Sequence, residues 1–280
     1  MSTAVKVWEE DIVLPTYEAG KPEKSPMFLE KRVYQGSSGV VYPYPVIEKI
    51  SDTCTDKTYH ALFLENEYIK VMILPELGGR IQMAYDKIKQ RHFIYYNHVI
   101  KPALVGLAGP WISGGIEFNW PQHHRPTTFM PVDSAVGKNG AVYMGEIDYF
   151  HKMKGMVAVS VDDKHSFFRA DVTVYNNTPT PHPFMWWANL AVEINDAYKI
   201  VFPPDVEYVN DHDRRAVLDW PVAKGVYHTA RPFNYGEGTD IHTFSAAQVP
   251  SSFMISRGQS DYDFVCGYDT ERDCGVVTLA

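Results

Sequence analysis

The sequence predicts an all-β chain, an antiparallel sandwich, and three observations carry that expectation. Aromatic residues reach 14%, with eighteen Tyr, fourteen Phe and six Trp, while nineteen Gly and nineteen Pro punctuate the chain. Aromatic side chains suit pleated surfaces, and Gly and Pro mark the turns between short strands. Four strand-like runs then follow one another across short turns: HALFLE at 60–65, YIKVMIL at 68–74, RIQMAY at 80–85 and HFIYY at 92–96. Strand, tight turn and strand again is an antiparallel meander. Finally, no apolar helical period lasts ten residues, and no repeat of solenoid length is visible.

Taken from the start, Val5 and Val7, then Ile12 and Leu14, stand two apart. A Gly/Pro/Lys/Glu stretch follows at 18–26, and a Gly/Ser then Tyr/Pro-rich stretch at 34–45 reads as extended chain. Residues 1–45 are expected to wrap the sandwich as an extension, and residues 46–280 to form the domain. After the meander, residues 99–132 break the rhythm with a long loop. Strands resume at 141–150, 156–161, 166–175 and 184–194, the last preceded by the turn NNTPTP, and continue at 198–202 and 206–209. The chain closes on GVVTLA at 275–280, expected to be the closing strand of a sheet or a cut through a larger domain.

Composition narrows the classes. A hydrophobic share of 45% with 21% charged residues describes a folded chain, not a disordered one. A formal charge of −8 offers no field to a phosphate backbone, so no nucleic-acid partner is expected. The most apolar stretches, 99–111 and 184–192, are interrupted and too short for a membrane span. Residues 1–6 lack the apolar core of a signal peptide. Cys54, Cys266 and Cys274 form neither a complete disulfide set nor a metal-ligand spacing. A cytoplasmic protein with reduced thiols, no metal and no cofactor is the expectation.

Candidate chemistry concentrates in GPWISGGIEFNWPQHHRPTTFMPVD at 109–133, which gathers Trp111, Glu117, Asn119, Trp120, His123, His124 and Arg125. Aromatic planes beside dense donors and acceptors suit a sugar, whose C–H faces stack while its hydroxyls bond. The blander alternative is a loop whose tryptophans plug the sandwich and whose histidines cap backbone. Adjacent histidines project apart in extended chain, so one metal held by both is not expected. In PHPFMWWANLAVE at 181–193, strand alternation puts Phe184, Trp186, Ala188, Leu190 and Val192 on a core face. Trp187, Asn189 and Glu193 then share the other face, either as a ligand wall or as a solvated surface. Arg80, after paired glycines, is a structural or a substrate-facing cation. The charged run at 211–215 reads as a solvated turn.

Three segments resemble the galactose-mutarotase-like superfamily, which includes the aldose 1-epimerases: LENEYIKVMILPELGGRIQMAYDKIKQRHFIYYN at 64–97, GGIEFNWPQHHRP at 114–126 and TPHPFMWWANLAVEINDAYKIVFPPD at 180–205. The likeness is strongest to an uncharacterised mutarotase-like domain found ahead of tetratricopeptide repeats in bacterial proteins. It implies an antiparallel β-supersandwich, with last strands and a general-base Glu beyond Ala280, and a tetratricopeptide region following. It places His124, or else His123, where relatives carry a loop His, and Arg80 where some carry an Arg. The catalytic His position falls on Met185, whose thioether transfers no proton.

A carbohydrate-active protein acting on a pyranose follows as the leading expectation. Glycoside hydrolysis would use two carboxyls among Glu117, Asp133 and Glu193, one kept protonated against an aromatic wall. Mutarotation would use His124 with Glu117 or Glu193. A non-catalytic sugar-binding or interaction module, anchored on Trp111, Trp120 and Trp187, is the third form. Arg80, Asn119, His123, Arg125 and Asn189 complete the expected sugar contacts.

Overall fold

The computed structural model describes residues 5–24, 41–121, 124–211, 216–224, 226–227, 233–234, 238–243, 252–256 and 260–279. Every strand ladder among them is antiparallel. The expected all-β fold is what forms, in two units, Met1–Ala191 and Val192–Ala280.

The first unit begins with β1 (Lys6–Ala19), β2 (Ile50–Glu65), β3 (Ile69–Leu74), β4 (Arg80–Asp86) and the short β5 (Arg91–His92). A hairpin of β6 (Ala103–Gly106) and β7 (Gly109–Trp111) precedes β8 (Ile116–Asn119). Next come β9 (Asp133–Val136), β10 (Val142–Asp148), β11 (Met153–Val161), β12 (Phe168–Asn176) and β13 (Trp187–Leu190). The large sheet runs β1-β2-β3-β4-β8-β13 with β5 beside β4, and the small sheet runs β12-β11-β10-β9.

These two sheets pack face to face. Leu62 and Leu64 of β2, Val71 and Ile73 of β3 and Ile116 and Phe118 of β8 meet Val142, Met144, Val157 and Val159 of the small sheet. The opposite face of the large sheet carries a second cluster, with Tyr59, Ala61, Phe63, Met72 and Leu74 beneath Leu14, Ile100 and Ile112. Burial on both faces explains why β2 and β3 read as continuous apolar runs rather than alternating ones. Each such side chain contributes about 1.5–3 kcal/mol of burial.

One extra residue reshapes β4. Met72 pairs with Met83, yet Ile73 pairs with Ile81, so Gln82 is the unpaired residue of a bulge. Ile81 and Ala84 therefore both reach the sandwich core, while Met83 packs on the opposite face. Arg80, next to Ile81, is turned to that opposite face as well.

Several boundaries differ from expectation. Residues 6–19, expected to wrap the sandwich, form an edge strand paired with β2 from Lys6–Glu65 to Ala19–Ile50. The span 99–132, expected as a loop, holds β6, β7 and β8. The strand expected over 184–194 is confined to β13. Residues 25–40 and 212–215, within the expected extended stretch and charged turn, lie outside the described residues.

The second unit contains β14 (Tyr198–Val201), β15 (Val206–Asp211), β16 (Val217–Asp219), β17 (Val222–Ala223), β18 (Val226–Tyr227), β19 (Phe233–Asn234), β20 (Thr239–Asp240), β21 (Ser252–Ser256), β22 (Phe264–Asp269) and β23 (Cys274–Leu279). They form the sheets β14-β22-β23 and β16-β15-β21 and the pairs β17-β20 and β18-β19. Val209, Ala223 and Ile241 make a small buried core.

Candidate functional site

Strand parity builds the site. Ile116 and Phe118 of β8, with Trp120 just beyond it, point into the sandwich core, so Glu117 and Asn119 point the other way. β13 lies alongside, with Asn189 opposite Glu117 and Trp187 opposite Asn119, while Ala188 and Leu190 pack on the core. On the other flank Ile81 pairs with Ile116, which sets Arg80 beside Glu117 across the β4–β8 junction. Arg80, Glu117, Asn119, Trp187 and Asn189 thus share the sheet face turned away from the small sheet.

Glu117 is the centre of this set. Its Oε1 accepts from Asn119 Nδ2 at 2.8 Å and from His124 Nδ1 at 3.4 Å. Its Oε2 is sealed from solvent and has no hydrogen-bond partner among the described residues. Burial pushes the carboxyl up, but the bonds from His124 and Asn119 and the charges of His124 and Arg80 outweigh it. Glu117 is held below its ordinary value. It is therefore a carboxylate at neutral pH.

A carboxylate cannot donate, so the proton of the pair sits on His124 Nδ1 and leaves Nε2 for other work. The His124 side chain is 38% exposed, against 4% for Glu117. The His124 and Trp187 rings meet edge to face with centroids 4.7 Å apart. Both polar atoms of the Asn119 side chain are engaged, because its Oδ1 also accepts from Arg125 N at 2.8 Å.

Arg80 is buried and committed. It donates from Nη1 to the Ile112 carbonyl at 2.9 Å, and from Nη2 to Ser113 O at 3.3 Å and to Gly114 O. Gly115 makes that turn, with φ +62 and an Ile81 carbonyl that would stand 2.1 Å from any Cβ. Burial pulls Arg80 down to about 10 while the Glu117 charge raises it, so the guanidinium stays protonated at neutral pH.

The other residues expected as contacts have surroundings of their own or lie outside the described residues. Trp120 belongs to the sandwich core, on the inward parity of β8, and Gly155 leaves the space its ring occupies. Arg125 is buried as a strut: its guanidinium lies 4.2 Å from the Trp120 ring centroid, donates to Gly78 O at 2.7 Å and pairs with Glu146 at 2.9 Å. Trp111, in β7, is half-buried, and its Nε1 has no partner among the described residues. Glu193 falls beyond β13, in the second unit, where it pairs with Arg272 at 3.2 Å. Asp133 stands exposed in β9. His123 lies outside the described residues.

Two residues of this network carried no expectation. Gln82, the bulge residue, is buried and donates to Asn97 O at 2.8 Å, and Asn97 in turn donates to Ser113 Oγ at 3.2 Å. Glu146 closes the charge of Arg125 and accepts from Thr127 Oγ1. Alternation in QMAY and GEID marks both as strand residues, but nothing local marks their partners.

Among the described residues no group of three or more His, Cys, Asp or Glu side chains is arranged to hold a metal ion. No helix among them is long and apolar enough to cross a membrane. The chain is similar to a solved structure described as a TPR-domain containing protein from Parabacteroides distasonis ATCC 8503, with TM-score 0.77 and 23% identity. That likeness is one of fold. It covers 100% of this chain and 45% of the other, so the chain spans less than half the length of that protein. A family model described as Domain of unknown function (DUF5107) matches residues 37–254, which is most of the 280 residues, and the chain belongs to that family.

Proposed function

We propose that this chain is a carbohydrate-active domain of galactose-mutarotase-like type, which takes a pyranose against Trp187 and moves a proton through His124. The observation that carries this is a half-exposed imidazole whose Nδ1–H is pinned by a buried, ionised carboxylate. A carboxylate in that position fixes the tautomer and ring orientation and stabilises the imidazolium that forms, leaving Nε2 as the atom that acts. In the aldose 1-epimerase form, Nε2 takes the proton of the anomeric hydroxyl. The imidazolium returns it to the ring oxygen as the C1–O5 bond opens. Reclosure on the other carbonyl face gives the other anomer.

The hydrolase form has less support, since it needs a second carboxyl facing Glu117. Asp133 is in an exposed edge strand, and Glu193 is engaged with Arg272. The non-catalytic form is favoured by Met185, which is exposed and stands where the resemblance calls for a catalytic His. The solved neighbour, described as containing a TPR domain, supports a tetratricopeptide region as companion in a longer protein. Free Cys54, Cys266 and Cys274 fit a reducing, cytoplasmic compartment.

Anomer exchange followed by NMR across a panel of aldoses tests the proposal. The intact protein should accelerate exchange for at least one sugar, and His124→Asn should abolish it while binding remains. Binding without exchange in the intact protein would leave the module form standing. No binding of any pyranose would refute the carbohydrate assignment.

A further inference from the structure

We infer that the Glu117 face selects uncharged sugars and rejects sugar acids and sugar phosphates, an inference that rests on the carbohydrate assignment above. An anion enters a protein site where N–H donors, above all cationic ones, stand unengaged. On this face the cationic ones are either engaged or sealed from solvent. The two Nη groups of Arg80 are taken by the carbonyls of Ile112, Ser113 and Gly114. Arg125 is taken by the Gly78 carbonyl and the Glu146 carboxylate. The Nε atoms of both arginines are sealed from solvent. The Asn119 amide is held by Glu117.

The charges close on themselves in the same way. Arg80 neighbours the buried Glu117, and Arg125 pairs with the half-buried Glu146, so each buried cation is matched by a carboxylate. What remains outward is His124, Trp187 and Asn189, all partly exposed. Any positive charge His124 gains is met at 3.4 Å by Glu117. A pyranose finds here an aromatic ring, an imidazole and an amide, groups that recognise hydroxyls and C–H faces. A carboxylate or phosphate finds no cationic donor among the described residues, and leaves water without compensation.

The test is a binding series on the intact protein at pH 7.5. It titrates neutral hexoses, the matching uronates and the matching 6-phosphates by calorimetry or ligand-observed NMR. The expected result is that any hexose that binds does so at least about tenfold more tightly than its uronate and its 6-phosphate. Glu117→Gln, which leaves Arg80 without its matching charge, should narrow that gap. An anionic sugar that binds as tightly as its neutral parent would overturn the inference and leave the carbohydrate assignment intact. Silence from the whole panel, neutral and charged alike, would overturn both.

Discussion

Replacing Arg80 by Met removes the cation that holds the turn beneath β8, and the cost follows from the bonds it makes. Three successive carbonyls, of Ile112, Ser113 and Gly114, lose their donor, the side chain of a residue only 2% exposed. Hydrogen bonds from a charged donor contribute roughly 1.5–3 kcal/mol each, which sums to about 4–9 kcal/mol. Against this stands the desolvation of the guanidinium, several kcal/mol, which Met does not incur. The two together leave a net loss of about 3–5 kcal/mol, in the range seen when one partner of a buried charge network is removed. Urea denaturation followed by tryptophan fluorescence reads it, since Trp8, Trp111, Trp120, Trp186 and Trp187 all lie in the first unit. The midpoint should fall with little change in slope. A loss below about 1 kcal/mol would mean that the turn stands without Arg80, and would refute this account of why a cation is buried there.

Gly155→Ala should destabilise the first unit by about 1–3 kcal/mol through overpacking, because its Cβ would stand 2.2 Å from Trp120 Cε2. Wild-type stability and an unchanged near-ultraviolet circular dichroism spectrum would contradict that placement of Trp120. Glu117 is held below its ordinary value in the folded state, so its contribution to stability is present above the unfolded value and lost as pH falls through the folded one. Glu117→Gln should accordingly lose less stability than wild type on acidification, and superimposable acid limbs would count against the shift. His60 lies between Asp11 and Glu9 at 3.1 Å each, and the Asp11 bond leads in raising its value. Its small contribution is present below the unfolded value and lost as pH rises through the folded one, and an NMR titration should find the ring above its ordinary range. Thiol titration of the denatured chain without reductant should return all three cysteines free.

What was legible in the sequence was local. The meander of β2, β3 and β4 and the later β10, β11 and β12 emerge close to expectation because their apolar residues are bounded by turn residues. The site region was harder. Ile116, Glu117, Phe118, Asn119 and Trp120 already alternate, and that pattern alone assigns Trp120 to the core beside Ile116 and Phe118. Four strand residues between Gly and Pro are easily taken for loop, and dense polar and aromatic side chains mask the alternation. Glu193 shows the opposite case: alternation places it with Trp187 and Asn189, but the strand stops at Leu190. Arg125 was illegible on principle: its partners Gly78 and Glu146 are fixed by tertiary structure, and nothing nearby in sequence distinguishes a strut from a ligand-facing cation.

The position of the candidate site is itself a consequence of how one sheet divides its second face. Over β2 and β3 that face is apolar and covered, and packing there consumes Tyr59, Phe63, Met72 and Leu74. Moving across the sheet, the same parity continues into β4, β8 and β13 but the residues become Arg80, Glu117, Asn119, Trp187 and Asn189. The step between the two regimes is the bulge at Gln82. Were the same residues in a regular strand, without the bulge, Ala84 and Ile81 would lie on opposite faces, and a β4 registered by Met83 would carry Arg80 into the sandwich core. There it would lose the carbonyls of Ile112, Ser113 and Gly114, and a buried cation stripped of its partners is not tolerated. The bulge lets one short strand serve the core with Ile81 and Ala84 while placing on the other face a cation that adds to the hydrogen bonds of His124 and Asn119 in favouring ionised Glu117. Fold and chemistry are coupled at that residue, which is why the dyad stands where the second apolar cluster ends.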